Sequence, residues 1–197
     1  MFVSLEGIDG SGKTTQAALL ADAFRALGRE VVLTREPGGT PLGEAIRDLV
    51  LHGDHVAPWA EAALYTAARA QHVEEVIRPA LARGAVVVCD RYLDSSVAYQ
   101  GAGRGLGIDA VLELNLTAVG GLLPDRTVLV AIEPGAGVAR MGDMRDRIER
   151  DGLALQQLAA DAYRALADRF SARYVVVDGV GEIDEVAARV RAAILPG

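Results

Sequence analysis

The chain has 197 residues, a length that predicts one domain spanning residues 1–197. Hydrophobic residues make up 51% and charged residues 24% of the sequence, so the chain can build a sizeable core and bulk disorder is excluded. The formal net charge of −7 argues against general binding to nucleic acid or to an anionic membrane, and it leaves room for a local cationic pocket.

The cysteine content and the first residues indicate where the protein resides. Cys89 is the only cysteine, so an internal disulfide is excluded, as fits a reducing cytoplasm. The segment from Met1 to Glu6 has neither the basic start nor the apolar length of a signal peptide, and the sequence has no uninterrupted apolar run of membrane-spanning length. We therefore expect a cytoplasmic protein with no membrane partner.

Short β-branched runs alternate with longer stretches of helical periodicity along the chain. The runs predict strands at Phe2 to Leu5, Val31 to Thr34, Ala85 to Cys89, Thr127 to Ile132 and Tyr174 to Val177. The helical stretches predict helices near 13–27, 41–52, 58–82, 107–120, 146–170 and 181–195. This alternation predicts an α/β fold, in which a parallel five-stranded sheet is flanked by helices on both faces.

The segment that joins the first predicted strand to the first predicted helix matches the P-loop pattern. Its glycines allow a tight turn in which successive N–H groups point at phosphate oxygens, and the helix N-terminus adds a positive end. Lys13, the only lysine in the chain, has the reach to contact β- and γ-phosphates, and Thr14 offers a hydroxyl to Mg²⁺. We predict a nucleoside triphosphate site formed by Gly7, Ile8, Asp9, Gly10, Ser11, Gly12, Lys13, Thr14 and Thr15.

Two more polar clusters follow predicted strands. One runs from Arg35 to Thr40 after the second strand, and the other is Asp90-Arg91-Tyr92 after the third. The carboxyl ends of parallel strands meet at one edge of the sheet, where open α/β sheets bind ligands. The apolar strand ending in Asp90 is typical of a Walker B strand, whose carboxylate holds Mg²⁺ directly or through water. Taken alone, Arg35 or Asp90 is equally consistent with a structural ion pair.

Two features leave alternatives open. The carboxylate of Asp9 lies inside the P-loop, where it either stabilises the turn or serves as a metal ligand or an acceptor for a sugar hydroxyl. The segment from Arg140 to Arg150 contains four arginines and is either a solvated charged helix or a flap that closes over phosphates.

Four blocks of the sequence resemble the thymidylate kinases, a family of P-loop nucleoside monophosphate kinases. The blocks are Glu6 to Thr15, Thr34 to Thr40, Asp90 to Gly101 and Asp146 to Glu149, and the helix from Ala62 to Leu81 matches as well. They fall in family order and span nearly the whole chain. The resemblance implies a nucleoside monophosphate kinase-like fold with a small arginine-rich lid near residues 137–151. It also implies transfer of the γ-phosphoryl group from ATP to dTMP, with Mg²⁺, by a homodimer.

The same resemblance implies roles for individual residues. The implied catalytic residues are Lys13, Arg91, Arg147 and Asp9, and Arg147 is preferred among the lid arginines because it lies in the fourth block. Arg140 and Arg145 are implied to close over ATP, and Asp9 is implied to join Thr14 and Asp90 around Mg²⁺. The implied dTMP contacts are Asp9, Arg35, Tyr65, Arg69, Arg91, Ser96, Tyr99, Gln100 and Glu149.

Within the implied dTMP site, each part of the nucleotide has its own partner. Arg91 grips the acceptor phosphate, Arg69 donates to the thymine O4, and Tyr99 lies under the deoxyribose and crowds out a 2′-hydroxyl. Tyr65 departs from the family, which usually has a phenylalanine at this position; its ring still offers a face for stacking on the base.

Two other functions stay open. The chain is also consistent with a P-loop kinase for another nucleoside monophosphate or for a nucleoside. A different class is a nucleotide-dependent switch or a non-catalytic regulatory module. A guanine-specific switch is expected to carry an Asn-Lys-x-Asp segment, which is excluded because Lys13 is the only lysine.

Overall fold

A computed structural model of the chain describes residues 1–140, 147–148 and 152–195. Within these ranges five parallel strands form one sheet in the order β2-β3-β1-β4-β5. The strands are β1 Phe2–Glu6, β2 Val31–Arg35, β3 Val86–Asp90, β4 Arg126–Ala131 and β5 Tyr174–Asp178. All five predicted strands are therefore confirmed, with their ends displaced by no more than one residue.

Helices fill most of the chain between the strands, and their bounds agree with most predictions. The predicted helix at 58–82 is continuous, but it changes to π-helical geometry at Val73–Ile77. The predicted helix 146–170 is described from Gly152 onward; of the part before Gly152, only residues 147–148 belong to the described residues. Of the helices described, none has the length and apolar character needed to cross a membrane. The α-helices are α1 Lys13–Ala26, α2 Pro41–His52, α3 Pro58–His72, α4 Arg78–Ala82, α5 Leu93–Ser96, α6 Ile108–Ala118, α7 Pro134–Arg140, α8 Gly152–Arg169 and α9 Ile183–Ile194.

Two helical segments have no counterpart among the predictions. The first is α5, which continues as a π-helix at Val97–Gly103. Its serines and glycines are weak helix formers, so it is held by burial of Leu93, Val97 and Ala98 and not by its own propensity. The second is α7, which contains two glycines and packs one of them against the P-loop.

The two faces of the sheet pack against different helices, because alternate residues of a strand point to opposite sides. In β1, Val3 and Leu5 belong to a core cluster that contains Leu20 and Phe24 of α1. Phe2 belongs to a separate cluster on the other face, to which α8 and other helices contribute. This arrangement confirms the predicted α/β fold with helices on both faces.

Strand order places the P-loop at the centre of the sheet edge. β1 lies between β3 and β4; the chain builds β2 and β3 on one side of it and then β4 and β5 on the other. Ligands of open α/β sheets bind where the strand order reverses in this way. The loops after β1 and β3 therefore share one crevice, and Leu5 of β1 is in register with Asp90 of β3.

A buried ion pair fastens the helix after β3 to the far side of the sheet. Asp94 of α5 is fully buried, and Arg173, just before β5, donates to both of its oxygens at 2.8 and 2.7 Å. Arg173 also donates to the Thr127 hydroxyl of β4 at 2.6 Å. The pair holds the segment that follows the Asp90-Arg91-Tyr92 cluster after β3.

Removal of Arg173 is expected to destabilise the fold strongly. Arg173→Met leaves the Asp94 carboxylate buried without its partner, which costs about 3–5 kcal/mol of unfolding free energy. Arg169→Met is the matched control, because both arginines lie about 5 Å from the Phe170 ring while Arg169 pairs with Asp109 at the surface. The control should lose less than about 1 kcal/mol in urea titrations; equal losses in the two variants would refute the role of the buried pair.

Candidate active site

The P-loop is shaped by glycines that no other residue replaces without strain. It connects the end of β1 at Glu6 to the start of α1 at Lys13. Gly12 precedes the helix with φ 86°, in the left-handed region that favours glycine. A Cβ on Gly10 would overlap the carbonyl oxygen of Gly137 in α7, so the loop and the base of the predicted lid meet backbone to backbone.

Lys13 lies inside this loop and is mostly buried. Its Nζ donates to the carbonyl oxygen of Ile8 at 3.2 Å and lies 3.6 Å from Oδ1 of Asp9. Burial lowers the pKa of Lys13, the charge of Arg91 adds to this effect, and the nearby carboxylates of Asp9, Asp90 and Glu6 oppose it. The lysine is thus a cation held at the centre of the loop, within a group of carboxylates.

Thr14 and Asp90 bring two oxygen-bearing side chains together at the wall of the cleft beside the P-loop. The Thr14 hydroxyl donates to Oδ2 of Asp90 at 2.5 Å. Oδ1 of Asp90 is buried and has no hydrogen-bond partner among the residues that the structure describes. Because a buried carboxylate oxygen normally has a partner, and because Mg²⁺ prefers oxygen ligands, these two side chains fit a magnesium site.

An ion pair between Asp9 and Arg91 joins the P-loop to the cluster after β3. Oδ1 of Asp9 accepts from Nη2 of Arg91, and Nη1 of Arg91 donates to the carbonyl oxygen of Gly7 at 3.1 Å. Burial tends to raise the pKa of Asp9, but Arg91, Lys13 and hydrogen bonds from Gln156 and Tyr99 outweigh it and lower the pKa well below its usual range. Asp9 is therefore a permanent anion.

Arg91 adopts an unusual backbone conformation to make this contact. Its φ is 70°, which is rare for a residue other than glycine and typical of functional sites that are held by their surroundings. Its amide donates to the carbonyl oxygen of Leu5 at 2.9 Å, which fixes the turn against β1.

A second carboxylate, Glu6, supports Arg91 through the hydroxyl of Ser95. Glu6 is fully buried and accepts from the amide of Tyr92 at 2.7 Å, from the Ser95 hydroxyl at 2.6 Å and from the Tyr163 hydroxyl at 2.9 Å. Nη1 of Arg91 also contacts the Ser95 hydroxyl, at 3.1 Å. Burial, followed by the charge of Asp94, raises the pKa of Glu6 to about 7, although hydrogen bonds and Arg91 oppose the shift.

Several residues of this network carried no predicted role. Glu6 lies inside the first family block. Its position directly before Gly7 of the P-loop was the sequence signal that could have indicated a role in the site. Gln156 of α8 brackets Asp9: its Nε2 donates to Oδ2 at 2.8 Å, and its Oε1 accepts from the Asp9 amide at 3.1 Å. It lies 147 positions from Asp9 within an ordinary helical stretch, so the sequence offers no signal for it.

The predicted acceptor residues meet in one cleft of about 430 Å³ beside the P-loop. The cleft is bounded at one end by Lys13, Thr14 and Asp90 and includes Ile148 of the lid segment. The structure brings together these residues of the predicted dTMP site: Asp9, Arg35, Tyr65, Arg69, Arg91, Ser96, Tyr99 and Gln100.

Arg69 is the most deeply buried cation of the cleft and is 2% exposed. Nε donates to Glu36 at 2.6 Å, Nη1 donates to Asn115 and to Ser96 at 3.1 Å, and Nη2 donates to the Tyr92 carbonyl at 3.2 Å. A guanidinium has five N–H donors, so these contacts leave one N–H of Nη2 for a ligand. Ser96 therefore acts here as a support for Arg69.

The other predicted acceptor residues differ in how firmly they are held. The hydroxyl of Tyr99 donates to Oδ2 of Asp9 at 2.9 Å, which fixes its ring beside the Asp9–Arg91 pair. Tyr65 is half-buried and packs on the core with its ring at the cleft. Arg35 is exposed and pairs with Glu44 at 3.0 Å.

The described parts of the predicted lid segment lie in two different places. Nη1 of Arg140 lies 3.4 Å from the carbonyl oxygen of Gly10, beside the P-loop. Nη2 of Arg147, by contrast, donates to Glu61 of α3 at 2.5 Å, and its Nε donates to the Val50 carbonyl of α2 at 2.8 Å. Arg147 is thus anchored to helices on the acceptor side, and Arg145 and Glu149 lie outside the described residues.

A parallel sheet with a P-loop at its central strand and a facing acceptor cleft defines a P-loop nucleoside monophosphate kinase. The family model described as "Thymidylate kinase" matches residues 5–190. The chain belongs to the thymidylate kinase family.

Individual relatives agree with this family over their full lengths. A thymidylate kinase of Leifsonia xyli subsp. xyli (strain CTCB07) is 53% identical, with 97% of this chain and 92% of the relative covered. A thymidylate kinase of Synechococcus sp. (strain JA-3-3Ab) is 48% identical, with 100% and 96% covered. A crystal structure of thymidylate kinase from Ehrlichia chaffeensis superimposes with a TM-score of 0.84 at 31% identity, with 98% of each chain covered.

The raised pKa of Glu6 predicts a specific pH dependence of stability. A carboxyl whose pKa is higher in the folded than in the unfolded state stabilises the fold when it is protonated, and this contribution is lost as the pH rises to about 7. The unfolding free energy of the native chain should therefore fall relative to that of Glu6→Gln between pH 5 and pH 8. Urea titrations at both pH values test this, and a constant difference would show that Glu6 is an ordinary ionised carboxylate.

Proposed function

We propose that this chain, as a thymidylate kinase, transfers the γ-phosphoryl group of ATP to dTMP and so forms dTDP and ADP. One observation carries the proposal: the Asp9–Arg91 ion pair joins a P-loop to an acceptor cleft in a chain of this family. Phosphoryl transfer needs alignment and neutralisation of charge more than covalent chemistry, and the cleft is lined by the required cations.

The donor side consists of the P-loop and the nearer part of the lid. Backbone N–H groups of the loop from Gly7 to Thr15 cradle the phosphates of ATP, apart from those of Asp9 and Ser11, which already donate to Gln156 and to the Ile8 carbonyl. Lys13 neutralises the charge that develops on the γ-phosphoryl group. Arg140 lies beside this loop, so we propose that it closes over ATP, and Arg145 is proposed to join it.

Mg²⁺ is the proposed cofactor of the donor, held by the Thr14 hydroxyl and Asp90. It supplies neutralisation of phosphate charge and orientation of the donor. Asp9 is proposed as a further ligand through water, since both of its oxygens already accept hydrogen bonds within the protein.

The acceptor side holds dTMP by its three parts. Arg91, aided by Arg35, orients the phosphate toward the P-loop for in-line attack. Tyr99 lies under the sugar, and Tyr65 stacks on the base. The base edge is contacted by Arg69, through its remaining Nη2 N–H, and by Ser96 and Gln100.

The lid contributes charge and excludes water, which otherwise turns such an enzyme into an ATPase. A catalytic role for Arg147 stays a prediction and requires that its guanidinium leave Glu61. Three further properties are proposed from membership of the family alone. They are contact of Glu149 with dTMP or the metal, assembly into a homodimer, and a cytoplasmic location.

An ADP-release assay with ATP and Mg²⁺ against dTMP, dUMP, dCMP and UMP tests the function. We expect ADP to form fastest with dTMP and only when a monophosphate is present. Lys13→Met should abolish the reaction without changing the circular dichroism spectrum, whereas Arg25→Met, on the exposed side of α1, should retain it. A preference for another acceptor would favour a different monophosphate kinase, and ADP formation without an acceptor would favour a regulatory ATPase.

The position of Tyr99 predicts selection against ribonucleotides. Tyr99→Ala should raise kcat/KM for UMP relative to dUMP by about tenfold, because the two acceptors differ only at the 2′ position that the ring crowds. Tyr99→Phe is the matched control, since it keeps the ring and removes only the hydroxyl bonded to Asp9. An unchanged UMP to dUMP ratio in Tyr99→Ala would assign the selectivity to another residue.

A further inference from the structure

Glu61 is a buried carboxylate that none of the proposed catalytic steps uses. It lies in α3 with 1% of its surface exposed, and three side chains donate to it. Nε2 of Gln100 donates to Oε1 at 2.8 Å, Nη2 of Arg147 donates to Oε2 at 2.5 Å, and Arg104 donates to both oxygens at 3.2 and 3.3 Å. Glu61 therefore touches a residue that lines the base end of the cleft.

The carboxylate of Glu61 fixes the orientation of the Gln100 amide. Burial tends to raise the pKa of Glu61, but hydrogen bonds from Gln100, Arg104 and Arg147 outweigh it and lower the pKa. An ionised carboxylate only accepts hydrogen bonds, so Gln100 must turn its NH₂ group, and not its carbonyl, toward Glu61.

This orientation leaves the Gln100 carbonyl for a ligand. No residue in the described part of the chain donates to Oε1 of Gln100, although the side chain is buried at the wall of the cleft. Arg69 at the same wall retains one N–H donor. One acceptor and one donor complement the N3–H and O4 of thymine or uracil, whereas cytosine has an acceptor and a donor in the reverse positions.

We infer that Glu61 is a positioning residue that sets base selectivity by holding the Gln100 amide with its carbonyl toward the base. This inference rests on the proposed function, since it assumes that a pyrimidine monophosphate occupies the cleft. Glu61 itself does not contact the nucleotide; it acts through Gln100, while its second oxygen holds the lid segment through Arg147.

Glu61→Gln tests the inference because it keeps the shape of the side chain and reverses its hydrogen bonding. Oε2 accepts from both arginines, from Arg147 at 2.5 Å and from Nη2 of Arg104 at 3.3 Å, so the carbonyl oxygen of the new amide takes that place. Its NH₂ group then faces Gln100 and turns that amide over, at the cost of the bond from Nε of Arg104 to Oε1. The ratio of kcat/KM for dTMP to kcat/KM for dCMP should then fall by about tenfold or more, chiefly through KM for the acceptor. KM for ATP should stay unchanged.

Arg104→Gln is the matched control, because it removes a partner of Glu61 and leaves the carboxylate on Gln100. It should keep the native dTMP to dCMP ratio. If Glu61→Gln does not fold, the charge-balanced pair Glu61→Gln/Arg104→Gln replaces it and should show the same fall relative to Arg104→Gln. In a Gln100→Met background, which has no amide to orient, Glu61→Gln should leave the ratio unchanged.

The possible results separate the inference from the function on which it rests. A native ratio in Glu61→Gln or in the charge-balanced pair overturns the role of Glu61, and so does an equal fall in Arg104→Gln. If the unmodified chain does not phosphorylate dTMP, the proposed function itself fails. If it phosphorylates dTMP and only the Glu61 variants behave otherwise than expected, the function stands and the inference alone is lost.

Discussion

The Asp9–Arg91 ion pair is the contact on which the rest of the site depends. A carboxylate inside a phosphate-binding loop is unfavourable unless cations surround it, and Asp9 has Arg91 and Lys13 within reach. The pair lies between two adjacent strands, since one partner follows β1 and the other follows β3. We propose that it thereby sets the separation between the P-loop and the acceptor phosphate, which in-line transfer requires to be short.

Much of the surrounding structure holds this pair in place. The left-handed backbone of Arg91 is maintained by its amide bond to β1, and Glu6 supports the guanidinium through Ser95. Gln156 clamps both the backbone and the side chain of Asp9 from α8, the helix that follows the lid. Two hydrogen bonds thus join the P-loop to α8, although Asp9 and Gln156 lie 147 positions apart in the chain.

The sheet and the P-loop were predictable because their signals are local. Runs of valine and neighbouring apolar residues indicate buried strands, and the glycines around Lys13 define a loop whose geometry follows from φ. The helix at 93–103 was not predictable because it is held by burial against its propensity. The partners of Arg147 were not predictable because they are a side chain and a backbone carbonyl more than eighty positions away. Arg69 was predicted at the base, whereas its dependence on Glu36 and Asn115 emerges only when α3, α6 and the loop after β2 are packed together.

The turnover of Asp9→Asn is the most direct measure of whether this residue joins the two sites. Asparagine keeps the size of the side chain and an acceptor for Tyr99 or Gln156, but it removes the charge that Arg91 and Lys13 face. If the ion pair aligns donor and acceptor, kcat with dTMP falls by about two orders of magnitude while the circular dichroism spectrum at the assay temperature stays that of the native chain, although loss of the pair lowers the melting temperature. A folded Asp9→Asn enzyme with native kcat and KM would contradict the central role of the pair.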